Sequence, residues 1–596
     1  MKHQSSRAGS ASKLILIFVC CLLVVIQSAQ AVKSGLDLIP NDTIACVRVS
    51  DIPKVFDTVL ESPEWQELKE NEKVQTGLAQ FQQALPITQL LAGVEARELI
   101  EIFFREVTFA FMGLVNNKPE MAFIFDVQKS PETAEDGLNQ FLILMSGGRN
   151  YKAMPEAQKY GGISYHGFTH ENGNVVKYGL LDNLLVLGIN GGFEKVVNTY
   201  HNLNPSISEN PQFQKMTQKI QLSGNVYAYA DLAQGISIIQ ELEKAKQEAN
   251  SQNTEDNKPE NQKKEKTPED KEMELALMRS LKAAVVKIDL TGTFHEVYVQ
   301  IKPEEQVKIF SNILLASHPP LASIKLMRAV DGVFVGLHLG DLSQLLEQAT
   351  ALISASGQNP QEQLKQLKQA IGIDLKEDVL KALTGELGIA IMTPKEKLNI
   401  QKNKLDIARA IKPILFIGIK DKRKFGELRK QLANLIDVEP VDEYQYNGAA
   451  IHRSIVSVES LAPGIALIPR YTYIDDLLVA SNSPRYIEEI IDKLNNREEL
   501  TEAEKTLARS WLLARAEIGN VGQFAVEQNL LGNEIKSVNL GDKSAAELIN
   551  QLGSIEVSYA PEPEGVKLSI ISGADETWVM KALRAVTIII LAEQEK

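Results

Sequence analysis

Stretches in which apolar and polar positions alternate recur along this chain, and apolar patterns of helical period separate them. "IACVRVSD", Ile44 to Asp51, alternates with period two, and "IPKVFDTVL" follows it with the helical spacing. The same succession returns at "AVDGVFVGLHLGDLSQLLEQAT", which starts at Ala329. Strand pairs are predicted at "EVTFAFMGL" with "EMAFIFDV", and again at "ELGIAIM" with "PILFIGI". Helices are predicted at "AEDGLNQFLILM" and "RKFGELRKQLANLI", and another at "PRYIEEIIDKLNN". Hairpin-spaced strands mixed with helices imply an α+β fold with mainly antiparallel sheets.

Six landmarks occur twice in the same order. Ile39 onwards matches Ala329 onwards, and "GVEARELIEIFFREVTFAFM" from Gly93 matches "GIDLKEDVLKALTGELGIAIM" from Gly372, with Glu106 aligned on Glu386. "YGGISYH", Tyr160 to His166, matches "YNGAAIH", Tyr446 to His452. "DNLLVLGIN" from Asp182 matches "DDLLVASNS" from Asp475, "GNVYAYA" from Gly224 matches "GNVGQFA" from Gly519, and "EVYVQI" from Glu296 matches "GVKLSI" from Gly565. This order predicts two tandem copies of one α+β unit, over residues 32–318 and 319–596. The first copy contains a charged stretch without apolar residues, about 250–272, "NSQNTEDNKPENQKKEKTPEDKE". It is too polar to order itself and reads as a disordered insertion, a charged linker or coiled-coil segment, between helices at Ile236–Ala249 and Met273–Val286.

Residues 1–31 have the layout of a secretory signal peptide. Lys2, Arg7 and Lys13 precede the apolar run Leu14 to Ile26, and Ala29-Gln30-Ala31 forms a small-x-small site, so cleavage is expected after Ala31. That places the protein outside the cytoplasm, in the periplasm or cell envelope, with no transmembrane span expected in the mature chain. The leader contributes three of the positive charges, so a net charge of −14 becomes −17 for the remainder. Such a balance argues against nucleic acid or an anionic membrane as the main partner. Only Cys46 remains after the leader, which excludes an intramolecular disulfide and suggests a small buried side chain.

At "LIPNDTIACVRVSD" through "SPEWQEL", and again at "LKALTGELGIAIM", the sequence resembles a family of large exported bacterial proteins catalogued as domain of unknown function 3352. The motifs are a Pro-x-Asp-Thr before the first strand, Pro40 to Thr43, and a Thr-Gly-Glu at Thr384 to Glu386. The second copy has Val330-Asp331-Gly332-Val333 in place of the first motif, and the first copy has Phe104-Arg105-Glu106 in place of the second. The resemblance implies an exported protein and brings no activity or site with it.

Six residues are candidates because they recur in both copies: Tyr160, His166, Tyr446, His452, Glu106 and Glu386. Tyr and His are general acid–base groups. Placed on one continuous strand, however, the Tyr and His of each motif stand about 20 Å apart and share one face with small residues between them. That spacing favours a packing role over catalysis. His166 and His170, in extended sequence, are too far apart for a zinc pair. Asp182-Asn183 and Asp475-Asp476 read as hairpin turns, and Asp51 and Asp341 as helix caps. Glu106 and Glu386 read as solvated carboxylates at strand entrances. There is no Gly-x-Ser-x-Gly, phosphate loop, His-Glu-x-x-His or Cys-x-x-Cys, so no catalytic, metal or cofactor set is assigned.

The reading that follows is an exported, non-enzymatic binding or scaffold platform whose partner is an unknown protein or apolar ligand. Apolar helical stretches such as "LIEIFFREV" and "EDGLNQFLILM" raise a lipid or other apolar-ligand carrier as an alternative. An envelope hydrolase with a non-local site is the other.

Overall fold

The computed structural model describes most of residues 34–594. Outside the description lie 1–33, most of 71–104 and of 128–150, 252–267, 305–318, 395–411, 458–465 and shorter gaps. The expected leader, residues 252–267 of the charged stretch and the apolar segments "LIEIFF" and most of "EDGLNQFLILM" therefore fall outside the described residues, whereas both edges of that stretch, expected to be disordered, are helical, in Leu232–Ser251 and Pro268–Ser280. The fold is α+β, and its sheets are antiparallel. No helix among the described residues is long and apolar enough to cross a membrane.

Two compact units are present, one of Met1–Glu304 with Asp575–Thr587, the other of Glu305–Ala574 with Ile588–Lys596. The first contains β1 (Ala45–Ser50), β2 (Glu106–Val115), β3 (Lys118–Asp126), β4 (Tyr151–Ala153), β5 (Gln158–Tyr160) and β6 (Ile163–His170). It continues with β7 (Val175–Leu181), β8 (Leu184–Ile189), β9 (Val226–Asp231), β10 (Leu281–Ile288) and β11 (Phe294–Ile301). Their spatial order is β11-β10-β9-β1-β2-β3-β8-β7-β6, with β4 and β5 both pairing β6.

Alternate residues of these strands point to one face, which is the core. Cys46, Ala110, Ile124, Val186, Tyr229 and Val285 are buried there against Phe193, Val196 and Val197 of helix Gly192–Tyr200 and Phe213 and Met216 of helix Pro211–Lys219. Gly188 makes the close approach possible: a Cβ on it would stand 1.9 Å from the Phe193 backbone nitrogen. A second, smaller cluster joins Val49, Ile52 and Val55 to Val579. Beside it, Arg584 donates from Nε and Nη2 to one oxygen of Glu64, at 2.9 and 2.7 Å, and both side chains are 4% exposed.

The second unit contains β12 (Val333–His338), β13 (Leu383–Ile391), β14 (Pro413–Ile419), β15 (Val438–Tyr446), β16 (Ala449–Ser457), β17 (Ala466–Leu467) and β18 (Arg470–Ile474). It continues with β19 (Leu477–Ser481), β20 (Leu512–Glu517), β21 (Asn539–Leu540), β22 (Lys543–Ser544), β23 (Ser554–Glu562) and β24 (Gly565–Ser572). Its main order is β24-β23-β20-β12-β13-β14-β19-β18-β16-β15. β17 also pairs β16, and β21 with β22 forms a separate ribbon. Strand for strand, the first nine positions of this order repeat those of the first unit. The core again lies on one face, where Phe334 stacks on Phe416 at 5.2 Å beneath Tyr486 and Ile490 of helix Pro484–Asn495.

Three local expectations are corrected. The helix expected over Met273–Val286 ends at Ser280, because Leu281–Ile288 is hydrogen-bonded on both sides, to β9 and β11. "GNVGQFA" lies in helix Ile518–Glu527, so the positional counterpart of β9 is β20, which precedes it. Asp51 makes no cap hydrogen bond, since its backbone sits at φ 60°, whereas Asp341 does cap, accepting from Ser343 N at 2.8 Å.

Candidate functional site

The recurring Tyr-x-Gly-x-x-x-His motif does not run along one strand. Gly161 (φ 55°) and Gly162 (φ 84°) form a two-residue turn, and Tyr160 pairs directly with Ile163 across it. Asn447 (φ 44°) and Gly448 (φ 85°) do the same between Tyr446 and Ala449. Asn-Gly and Gly-Gly accept positive φ at both central positions, and the chain reverses there. The expected 20 Å separation along one strand therefore does not apply. Each tyrosine instead ties its hairpin to the helix beneath: Tyr160 donates to Asn198 Oδ1 at 3.2 Å, and Tyr446 to Asp492 Oδ2 at 2.8 Å.

The histidines belong to the opposite face. His166 is registered with Tyr178 and stacks on it at 5.7 Å; His452 is registered with Tyr471 and stacks on it at 4.8 Å. Burial pushes Tyr178 up to about 12, with Glu135 adding to the effect. Tyr471 is raised too, mainly by burial, against the lowering influence of Arg429. His452 also meets Glu443 across its hairpin, Nδ1 to Oε2 at 3.0 Å. Two members of a triad are thus adjacent, but the other described contacts of this imidazole are the rings of Tyr471 and Tyr473, not a nucleophilic hydroxyl.

From each His–Tyr pair a row of cross-strand neighbours crosses the sheet. In the second unit Tyr471 pairs Ala480, then come Leu415, Ile389 and Val335. The row continues through Ala514 and Val557 to Ile570. In the first unit Tyr178 pairs Leu187, then come Phe123, Phe109 and Val47, and the row runs on through Ala228, Val286 and Val297. A parallel row in the second unit passes from Tyr473 through Leu478, Ile417, Leu387 and Leu337 to Leu512. Most antiparallel sheets bury one face and present polar side chains on the other. Here the second face is apolar from strand to strand, and Leu387, Ile389 and Leu415 are 36%, 38% and 52% exposed. Exposed apolar surface of this kind marks a place of contact.

Glu106 and Glu386 are not solvated carboxylates. Both are buried, and both stand opposite the last residue of their unit's first strand, Ser50 and His338. Glu106 accepts from Gly35 N at 3.2 Å and from Arg48 Nη2 at 2.6 Å. Glu386 accepts from Ala322 N at 2.9 Å and Ser323 N at 2.7 Å. Each fastens the segment that leads into the first strand, a structural duty that charge-assisted bonds to backbone amides perform well. Among the described residues no group of three or more His, Cys, Asp or Glu is placed to hold a metal. A shallow hollow of about 250 Å³ lies between the β2–β3 turn, Leu114 to Asn117, and Ile238, Glu241 and Leu242. None of the recurring residues borders it.

The outer face escaped the sequence reading because a two-faced apolar strand and a buried strand share one signature, a nearly continuous apolar run such as "FAFMGL". The signal that could have found it is the registration of His166 and His452 with tyrosines that begin a row. No family model matches the chain, and no curated protein matches it. Among solved structures, a protein named TP0453 is similar in two crystal forms, with 10% and 12% identity, covering 48% of this chain in each and 87% and 89% of its own. The TM-score is 0.22 in both, and the likeness carries no argument.

Proposed function

We propose that this is a non-enzymatic binding protein of the cell envelope, built as two tandem copies of one α+β unit, which takes apolar ligands on its outer sheet faces. The observation that carries the reading is the exposed apolar outer face of the second unit, where Leu387, Ile389 and Leu415 lie in two adjacent rows. Covering about half of each of these side chains is worth roughly 1 kcal/mol apiece. The envelope location rests on the leader-like residues 1–31 and on the resemblance to the exported family. The tandem origin is supported by the common strand order, by the matched hairpin tyrosines and by the paired duties of Glu106 and Glu386.

The test uses the neutral dye N-phenyl-1-naphthylamine, whose emission rises on entering an apolar site, with Leu415→Asp and Ile389→Asp as variants. Both positions face water in part, so the variants are expected to keep the parent melting temperature within a few degrees. Saturable dye binding that falls about tenfold in both variants is the expected result, since a charge on the row must be desolvated by the ligand. Absence of dye binding, or binding indifferent to both changes, refutes the reading.

A further inference from the structure

The apolar row of the second unit has one charged end. Helix Lys422–Leu435 carries five basic residues, Lys422, Arg423, Lys424, Arg429 and Lys430, against the single acid Glu427. Lys422 meets Asp476 at 3.5 Å and Arg423 meets Glu427 at 3.0 Å. Arg429 instead reaches the outer face, where its guanidinium lies 5.2 Å from the centre of the Tyr471 ring and donates to the phenol oxygen. Because that oxygen accepts from Arg429, its own hydrogen is left to donate elsewhere. Arg429 and the Tyr471 hydroxyl thus stand together at the head of the row that continues through Ala480, Leu415 and Ile389. Glu443, an acid at this end, is engaged with His452, which stacks on the same tyrosine.

The matched end of the first unit is built the other way. There Tyr178 holds the place of Tyr471, and its charged neighbour is the Glu135 carboxylate. The two His–Tyr pairs thus differ in their charged surroundings: Arg429 and Glu443 flank the second, and the Glu135 carboxylate acts on the first.

We propose that the second unit's outer face binds a single-chain amphiphile with a carboxylate head, a long-chain fatty acid. The head is received by Arg429 and the Tyr471 hydroxyl, and the chain lies across β19, β14, β13 and β12. This rests on the apolar-ligand reading above and adds the chemistry of the head. Four strand steps from β18 to β12 span about 19 Å, the scale of a long acyl chain. Guanidinium and phenol together give a carboxylate two charge-assisted or neutral hydrogen bonds in fixed positions. The stacked His452 holds the Tyr471 ring and acts as a positioning residue.

The experiment compares a fluorescent polyene fatty acid, cis-parinaric acid, with its methyl ester, which has the same chain and no charge. Both are titrated into the purified chain and into Arg429→Ala, Arg429→Lys and Leu415→Asp variants, all below the critical micelle concentration. Arg429→Ala is expected to weaken the acid by about tenfold or more and leave the ester within about twofold. Arg429→Lys should recover part of the loss, and Leu415→Asp should weaken acid and ester alike. Equal affinity for the acid in the parent and Arg429→Ala, or equal loss for acid and ester, overturns the head assignment while leaving the apolar-ligand reading intact. If neither acid nor ester binds, the apolar-ligand reading itself fails. Adsorption to phosphatidylglycerol vesicles without uptake of the monomeric acid overturns the fatty-acid proposal in favour of a membrane-surface role.

Discussion

Glu64 and Arg584, 520 positions apart in the chain, meet in the interior of the first unit. Two N–H groups of Arg584 converge on one Glu64 oxygen, and the other oxygen, Oε2, is buried without a hydrogen-bond partner. The pair is therefore desolvated and incompletely satisfied. Its attraction in a poorly polarisable interior is offset by the cost of taking two ions out of water, so the pair as a whole contributes little. Removing one partner takes from the other the opposite charge it faces in the interior. Arg584→Met leaves a buried carboxylate, and Glu64→Leu leaves a buried guanidinium. Each single change is expected to destabilise the unit by about 3–5 kcal/mol, while Glu64→Leu with Arg584→Met together lies between neutral and about 2 kcal/mol more stable than the parent. The coupling term in the double-mutant cycle is then several kcal/mol. The assay is thermal unfolding by circular dichroism and calorimetry. At about 2 °C per kcal/mol for a unit of this size, each single mutant should lower the transition involving this unit by roughly 6–10 °C, and the double mutant should restore it. Single mutants that lose less than about 1 kcal/mol would show that water reaches the pair. A double mutant no better than the worse single would show that the ions are net stabilising. Either result refutes the reasoning.

Other expectations follow from the same contacts. Glu386→Gln removes the charge from two backbone hydrogen bonds, to Ala322 and Ser323, and should lower the second unit's stability by about 1.5–3 kcal/mol in urea unfolding; an unchanged midpoint would reject the fastening role. Gly448→Ala meets no atom within 4 Å but must hold φ 85°, so a purely conformational loss of about 1–2 kcal/mol is expected by chemical denaturation, and no loss would mean that the turn relaxes freely. Burial raises the Cys46 thiol from 9.0 to about 12, so the native chain should resist thiol reagents at pH 8 and react once unfolded; prompt native labelling would contradict its placement. Burial raises Tyr178 and Tyr559 to about 12 as well. Each of these acids is neutral in the fold and would ionise earlier when unfolded. Their contribution is complete below about pH 9 and lost as the pH climbs towards 12, so melting temperatures should fall over that window.

The α+β character was legible because alternation marks strands such as "IACVRVSD" however they are later packed. Turn chemistry was legible at Asp182 and Asp475, which sit at φ 53° and 51°. It was overlooked at Asn447-Gly448, where alternation on both sides hid the reversal between two strands. The recurrence of Glu106 and Glu386 was visible in the sequence, but their burial depends on amides of Gly35, Ala322 and Ser323, more than 60 positions away. Likewise, no local pattern places residues 578–587 with the first unit, because Glu64 and Val55 belong to a distant stretch of chain. Periodicity reports that a face is apolar. Only the register of neighbouring strands reports that two apolar faces exist and that one begins at a histidine.

The Glu64–Arg584 contact also bears on the order of events during synthesis. At about 5–20 residues per second, the 520 residues between them take roughly half a minute to two minutes to be made. Throughout that interval Glu64, in the first turn of what becomes helix Pro63–Leu68, has no Arg584 to meet. The first unit therefore cannot close until Asp575–Thr587, far beyond its main stretch, has been made. The folding of the first unit is in this way coupled to the synthesis of a segment that follows most of the second unit.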